Sequence, residues 1–518
     1  MTERFTMLLH SSSGALAALV SGGVMVAGCH LSHELERGPH GDPHQVDAGV
    51  PGADAGEPRD ATTICSPWTL RVEPVSPDAV ADVTAMPIAF RSGHETTVAF
   101  VTHGALTNAG EGDVALDPTR CASAGDATTC APDMPSSWDG AGMLRLWARD
   151  RVLTLPLDDA EIAATGTLAS ADLDANHKPE LVAFGRFSGA IALDHEGHVR
   201  WRADLPSLDE VRMLDVPLPE GRPRSLSGTP LVVDLEGDGE VEVALGYGLV
   251  EGRTGEVRWR ASGHRGINRV YGPMPCAGDL DGDGVLEIVA GGTAYRADGS
   301  VLWQAAVSDG FCAIGETAIA LVSEGRLFLL DREDGAVRWT TMLAGGLRMG
   351  ATGPAGGPPT LVDVDGDGDD EILVASESRL ALYDPRCHDP SCTIDGWSIA
   401  IEDGLSGVTG VTVVDVDGDL ALEVLHADQT TLRLLDARTG AVRVSTPRLS
   451  RTRTERPLFV DVDGDGSGEI LVGISSEWDG NHDRRDEGPS AGLAVVGPVC
   501  ARWATPPGSS PGRLIGPD

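Results

Sequence analysis

Six stretches of this chain place carboxylates at alternating positions of a nine-residue segment, beginning at Asp172, Asp234, Asp279, Asp363, Asp415 and Asp461. In the fourth, Asp363, Asp365, Asp367, Asp369 and Glu371 occupy positions 1, 3, 5, 7 and 9, with Gly366 and Gly368 between them. Glycine permits the left-handed turns that bend such a segment back on itself, so alternate carboxylates converge on one point. Six to eight oxygens around a hard cation suit calcium; magnesium, which demands a stricter octahedron and keeps more of its water, fits second best. One such Asp-Gly cluster reads as a solvated turn. Six copies at fixed spacing read as cation sites, because carboxylates packed this densely repel one another without a counter-charge.

The elements around these segments are short strands. An apolar triplet precedes each segment, an apolar run follows it, and a strand-turn-strand phrase comes next, such as GLVEGRTGEVRWR, LFLLDREDGAVRW or LRLLDARTGAVRV. Neighbouring segments start 45 residues apart (234 to 279), 52 (363 to 415) and 46 (415 to 461). A period near 40–50 residues with about four strands per unit predicts a β-propeller. Two further units lack the acids: residues 311–339, whose inter-strand loop is three residues shorter than its predecessor's, and a unit opening at Pro87 and resuming after an insertion at Gly142. The expected fold is therefore all-β, one ring of eight four-stranded blades (seven as the alternative) over residues 65–505. Each unit buries its apolar face only against the next. The 66 glycines and 33 prolines favour turns and short strands over helices.

The acid loops resemble those of the FG-GAP/VCBS repeats in integrin-alpha-type propellers, D-x-D-x-D-G-x-x-[DE], a likeness that covers roughly residues 85–505. It implies calcium held by acids at positions 1, 3, 5 and 9 and by the backbone carbonyl at position 7. Carried onto this chain, the best set is Asp279, Asp281, Asp283, Val285 and Glu287. Its equals are Asp363, Asp365, Asp367, Asp369 and Glu371, and Asp461, Asp463, Asp465, Ser467 and Glu469. Asp234, Glu236, Asp238, Glu240 and Glu242 carry a longer Glu at position 3, and Asp415, Asp417, Asp419, Ala421 and Glu423 have Leu420 where glycine is usual. Asp172, Asp174, Asn176, Lys178 and Glu180 put His177 at that glycine and a lysine beside it, so this is the expected weakest site. An EF-hand is excluded: it needs a Glu at position 12 and flanking helices, whereas position 12 of the fourth loop is Val374 in a strand-like run. The strand phrases resemble the PQQ-type propeller repeat, whose tryptophan packs between blades. Trp201, Trp259, Trp303, Trp339 and Trp503 stand at that place, with Val444 as a departure. There is no adjacent cysteine pair of the kind a quinone site carries.

Charge narrows the function classes. Lys and Arg number 39 against 79 Asp and Glu, a net charge of −40. That disfavours nucleic-acid binding and docking on an anionic membrane, both of which need clustered basic residues. A hydrophobic content of 41% argues against wholesale disorder. Residues 1–28 carry an early Arg4, a short apolar run and the small residues Val26-Ala27-Gly28 before Cys29. The run is too short to span a bilayer and suits a signal peptide. Val-Ala-Gly-Cys resembles the bacterial lipobox, which implies lipidation of Cys29 and, with His30 next, an outer-membrane lipoprotein at the cell surface or on the periplasmic face. Residues 29–64 read as a flexible tether and 506–518 as a disordered tail.

Eight cysteines remain, an even number that fits a disulfide framework in an exported chain. Spacing suggests local bridges Cys121–Cys130 and Cys387–Cys392; a Cys65–Cys500 staple would close the ring, leaving Cys276 with Cys312 at equivalent places in adjacent units. The sequence contains no G-x-S-x-G, H-E-x-x-H or P-loop motif, and its carboxylate pairs lie almost entirely in the acid loops. The expectation is a monomeric, calcium-binding interaction or adhesion module for a protein or carbohydrate ligand, rather than an enzyme. The alternatives are a polysaccharide-lyase-like propeller enzyme and an accessory scaffold without a ligand of its own.

Overall fold

The computed structural model describes strands and turns between residues 70 and 498, except 75–80, 105–120, 131–140, 208–227, 346–353, 386–395, 463–467, 475–491 and several shorter stretches. The proposed signal peptide, Cys29, the tether, Cys65, Cys387, Cys392, Cys500, Trp503 and the C-terminal tail fall outside the described residues.

Eight antiparallel blades follow one another along the chain; in blades 2 to 7 each strand pairs with the next, and the blade 1 sheet has six strands, Ala81–Asp82 adding to its second strand and Ile162–Ala163 to its third. Blade 1 runs from Ile88–Ser92 to Arg151–Thr154, blade 2 from Ala169–Ala171 to Val199–Ala203, and blade 3 from Leu231–Val233 to Val257–Arg260. Blade 4 runs from Cys276–Gly278 to Val301–Gln304, and the acid-free blade 5 from Phe311–Ile314 to Val337–Met342. Blade 6 spans Thr360–Val362 to Ser398–Ala400 and blade 7 Val411–Val414 to Val442–Pro447. Blade 8 takes three strands from the C-terminal end, Leu458–Val460, Glu469–Ile474 and Gly492–Pro498, and its fourth, Leu70–Pro74, from the N-terminal end. Leu70 pairs with Pro498 and Pro74 with Ala494, so backbone hydrogen bonding joins the two ends of the chain.

Packing closes the same ring. In blades 2 to 8 every residue of the second strand is buried, as a strand covered on both faces requires. Apolar clusters fill each junction between neighbours, including Val83, Phe100 and Trp147 of blade 1 and its approach against Val460, Leu471 and Val495 of blade 8. The Cys276–Cys312 disulfide ties the first strands of blades 4 and 5. Cys121 and Cys130 lie opposite each other in a hairpin inside the blade 1 insertion.

A second device repeats at these junctions. The indole N–H groups of Trp201, Trp259, Trp303 and Trp397 donate to the carbonyls of Gly252, Ala297, Arg332 and Ala437 in the following blade, at 2.6, 2.9, 2.7 and 2.8 Å. The indole lies over a glycine of the receiving turn. At Gly440 (φ +68°) a Cβ would sit 2.3 Å from Trp397, so only glycine admits the contact. Trp339 packs into the cluster between blades 5 and 6. Trp397 is not among the expected tryptophans, because Gly396 precedes it where the other phrases have Arg or Leu.

The meander fixes two ends of the ring. Connections between first and second strands, and between third and fourth, lie at one end. Second-to-third connections and blade-to-blade linkers lie at the other. All six acid segments are first-to-second connections, so they share one end.

Candidate metal centres

Each acid loop is shaped by its own backbone before any ion is considered. The position-1 carboxylate accepts from the loop's N–H groups: Asp279 from Gly282 (2.8 Å) and Gly284 (3.1 Å), Asp363 from Gly366 (2.6 Å) and Gly368 (3.0 Å). Positions 4 and 6 are left-handed in the loops of blades 3, 4 and 6, where both are glycine. They are left-handed too where the residue is Ala175, His177 or Leu420, which hold φ of 59°, 67° and 71°. The position-9 glutamate is almost fully buried in all six loops. Its Oε2 accepts the position-2 N–H in each: Leu173, Leu235, Leu280, Val364, Val416 and Val462, at 2.8–3.1 Å.

This geometry gathers the carboxylates of positions 1, 3 and 9. In blades 2, 4, 6 and 7 one oxygen from each lies within 4.8 Å of the others: Asp172, Asp174, Glu180; Asp279, Asp281, Glu287; Asp363, Asp365, Glu371; Asp415, Asp417, Glu423. Calcium–oxygen bonds of about 2.3–2.6 Å span just that separation across an ion. The position-5 side chains do not join these triads. Asp238, Asp283, Asp367, Asp419 and Asn176 instead accept from the position-7 N–H, at 2.9, 2.8, 3.0, 2.8 and 2.7 Å. In blade 8, Asp461 and Glu469 are described, whereas Asp463, Asp465 and Ser467 are not.

The blade 6 loop fits a cation best. Glu371 is 3% exposed, and its Oε1 has no hydrogen-bond partner. Burial, with Asp365, Asp384 and Asp363 nearby, pushes its carboxyl up to about 7. Burial and the surrounding aspartates likewise raise Glu287. A cavity of about 260 Å³ between blades 6 and 7 opens onto Asp365 and Glu371, with Asp384, Trp397 and Arg438 in its wall.

Blade 3 differs. Asp234, Glu236 and Glu242 do not gather into a triad, and Arg258 enters the loop: its Nη1 lies 3.0 Å from Glu236 Oε1 and 3.1 Å from Glu242 Oε1. Arg443 does the same in blade 7, 2.5 Å from Glu423 and 3.9 Å from Asp417, and Arg200 pairs with Asp174 in blade 2. Sequence reading missed these arginines. The signal available was their fixed place in the V-R-W and V-R-V phrases. One more cluster, Asp194, Glu196 and His198, lies in a turn of blade 2 and is largely exposed.

The opposite end of blades 7 and 8 holds a different assembly. Arg448, 2% exposed, donates to the carbonyls of Asp428 and Gly473, both at 2.8 Å, and to Glu455 at 2.6 Å. Asp428 pairs with Arg433, and Asp403 accepts from Thr409 (3.0 Å) and Thr452 (2.6 Å). Thr409 also contacts the fully buried His426 at 3.2 Å. These side chains are enclosed, and their arrangement is structural.

No protein-family model matches the chain, and no curated protein matches it. Solved structures do. The V. cholerae biofilm matrix protein Bap1 superposes with a TM-score of 0.58 at 15% identity, over 84% of this chain and 92% of that one. Quinohemoprotein alcohol dehydrogenase from Comamonas testosteroni gives 0.43 at 12% identity, over 82% and 76%. BamB from Moraxella catarrhalis gives 0.32 at 16%, over 64% and 95%. At such identities the likeness is one of fold. The chain is an eight-bladed β-propeller. Its acid loops could hold metal ions at one end of that propeller.

Proposed function

We propose that this propeller is an exported, lipid-tethered interaction or adhesion module whose acid loops bind calcium and so stiffen the ring. The observation that carries the calcium reading is the unpartnered, buried Oε1 of Glu371 beside Asp363 and Asp365. A buried carboxylate oxygen without a donor is costly, and a divalent cation removes that cost. The lipobox-like Val26-Ala27-Gly28-Cys29 supports export and anchoring through Cys29. The FG-GAP-like spacing supports calcium over magnesium, and the shared fold with a biofilm matrix protein supports binding rather than catalysis. The insertions at 105–140 and 475–491 leave second strands at the end opposite the acid loops, which suits a division between a cation-stiffened end and a ligand-facing end.

Elemental analysis and melting of the full-length chain test the reading. Several calcium ions per molecule are expected, and chelation is expected to lower Tm by roughly 5–10 °C, since each filled site contributes about 2.7 kcal/mol at a hundredfold excess over Kd. A metal-free protein whose melting ignores chelator would refute it.

A further inference from the structure

In five blades the fourth strand carries a β-bulge at the same place. The pairing register skips Arg200 in blade 2, Arg258 in blade 3, Leu302 in blade 4, Arg338 in blade 5 and Arg443 in blade 7. A bulge turns its extra residue out of the ladder and re-aims the side chain. In blades 2, 3, 5 and 7 the re-aimed arginine reaches the blade's own first-to-second connection. Arg258 and Arg443 reach Oε1 of the position-9 glutamates Glu242 and Glu423 at 3.1 and 2.5 Å. The same atom of Glu371 in blade 6, where no bulge arginine exists, has no hydrogen-bond partner, and no ion pair is shown for it among the described residues; Glu423 Oε1 also lacks a hydrogen bond but has the ion pair to Arg443. Arg200 reaches only Asp174. In blade 5, which has no acid loop, Arg338 turns to Asp331 and to the Thr317 carbonyl at 2.9 Å each. Blade 4 has Leu302 at the bulge, and its ion pair is the looser Arg296–Asp281 at 3.7 Å.

We infer that the bulge arginine is a tethered counter-cation that competes with divalent metal for its loop. The propeller's loops therefore fall into two affinity classes: tight in blades 4 and 6, weak in blades 3 and 7, with blade 2 between them. This rests on the calcium reading and adds a grading to it. Metal entering blade 3 or 7 must first displace a guanidinium that holds up to three carboxylates: Glu236, Glu242 and Glu251 around Arg258, and Asp417, Glu423 and Asp436 around Arg443. Metal entering blade 6 meets no bulge arginine, because Gly396 stands before Trp397 there. As calcium falls, blades 3 and 7 would empty first and keep a resident counter-charge, whereas blades 4 and 6 would empty last and be left with their carboxylates unneutralised by a bulge arginine.

The test is calcium titration of chelator-stripped full-length protein, with Leu as the substitute because blade 4 already carries it. Arg258→Leu with Arg443→Leu is expected to tighten two sites at least tenfold, raising the number of tight ions by two over the wild type. Leu302→Arg is expected to weaken one site at least tenfold and lower that number by one. Melting supplies a second readout: the double variant's Tm should fall in chelator yet recover fully in calcium. Should the double variant not fold, Leu302→Arg still decides, because it adds a pairing and removes none. Unchanged stoichiometry and affinity in these variants, with the wild type binding calcium normally, would overturn the grading and leave the calcium reading standing. Absence of calcium binding in every variant would remove both.

Discussion

Blade 7 buries a carboxylate at each of its ends, and the two are handled in opposite ways. Glu423, fully buried, stands with Asp415 and Asp417 in one contiguous loop whose backbone supplies N–H donors. Asp428, five residues on and equally buried, sits among groups from four separate segments: Asp403 and Thr409, His426, Arg433, and Arg448 to Glu455. At the first end, acids accumulate faster than the chain can neutralise them, and one arginine is the only cation shown near Glu423 among the described residues. At the second, two arginines and a set of hydroxyls satisfy the acids internally. The difference teaches that a buried charge is not itself a sign of a ligand site. What matters is whether the protein has already supplied its partner.

The largest effect expected from breaking this contrast is at the satisfied end. Arg448→Leu takes a donor from buried Glu455, which keeps the Ser450 hydroxyl, and from the carbonyls of Asp428, Gly473 and Ala427, and should cost about 3–5 kcal/mol of stability. Chemical denaturation with and without calcium checks it. The loss should be the same in both conditions, because no acid loop is involved. A loss that disappears in calcium would mean that the two ends are one coupled system and the contrast is false.

Acid titration gives a smaller effect. Burial holds the His426 imidazole well below its ordinary value; Asp428 opposes this, and Arg433 and Arg448 reinforce it. Thr409, whose hydroxyl also bonds Asp403, faces the ring from the linker side. A histidine whose folded-state value is depressed contributes full stability above its unfolded value of about 6.5 and loses it as pH falls toward the folded value. Below about pH 6.5 the wild type should therefore lose stability more steeply than His426→Gln, by up to about 1.4 kcal/mol per pH unit. Parallel acid limbs in the two proteins would show that the imidazole is not kept neutral.

How much of this was legible follows the same division. The acid loops could be read because every group that shapes them lies within nine residues, and the blade count because each unit repeats its turn and strand phrases. Cys276 and Cys312 could be matched because they occupy equivalent places in adjacent units. The closing strand Leu70–Pro74 was expected only as a region of closure, since a strand with no neighbour in sequence announces no partner. The His426–Asp428–Arg448–Glu455 assembly could not be read: its members fall at unrelated positions of two connections and one strand. The bulge arginines were in plain view, but their aim depends on a register skip that residue types do not announce. The failure of position-5 carboxylates to join the triads has a local cause. A carboxylate two residues before a free N–H caps it in preference to turning inward.

The smallest effect separates backbone shape from charge within the acid loops. Leu420 holds φ of 71° with its side chain 84% exposed, and the corresponding Gly368 of blade 6 has nothing within 4 Å of a would-be Cβ. The leucine therefore gains no packing in return for a left-handed conformation that disfavours any residue with a Cβ by about 1–2 kcal/mol. Glycine relieves that strain but adds freedom to the unfolded chain, which offsets part of the gain. Leu420→Gly should thus stabilise the protein by about 0.5–1 kcal/mol in chelator, measurable as a small rise in denaturation midpoint with unchanged slope. Its effect on calcium affinity in blade 7 should be slight, because Arg443 remains on Glu423. If the single glycine tightened that site as much as removing the arginine does, loop shape rather than the resident guanidinium would be what separates the blades.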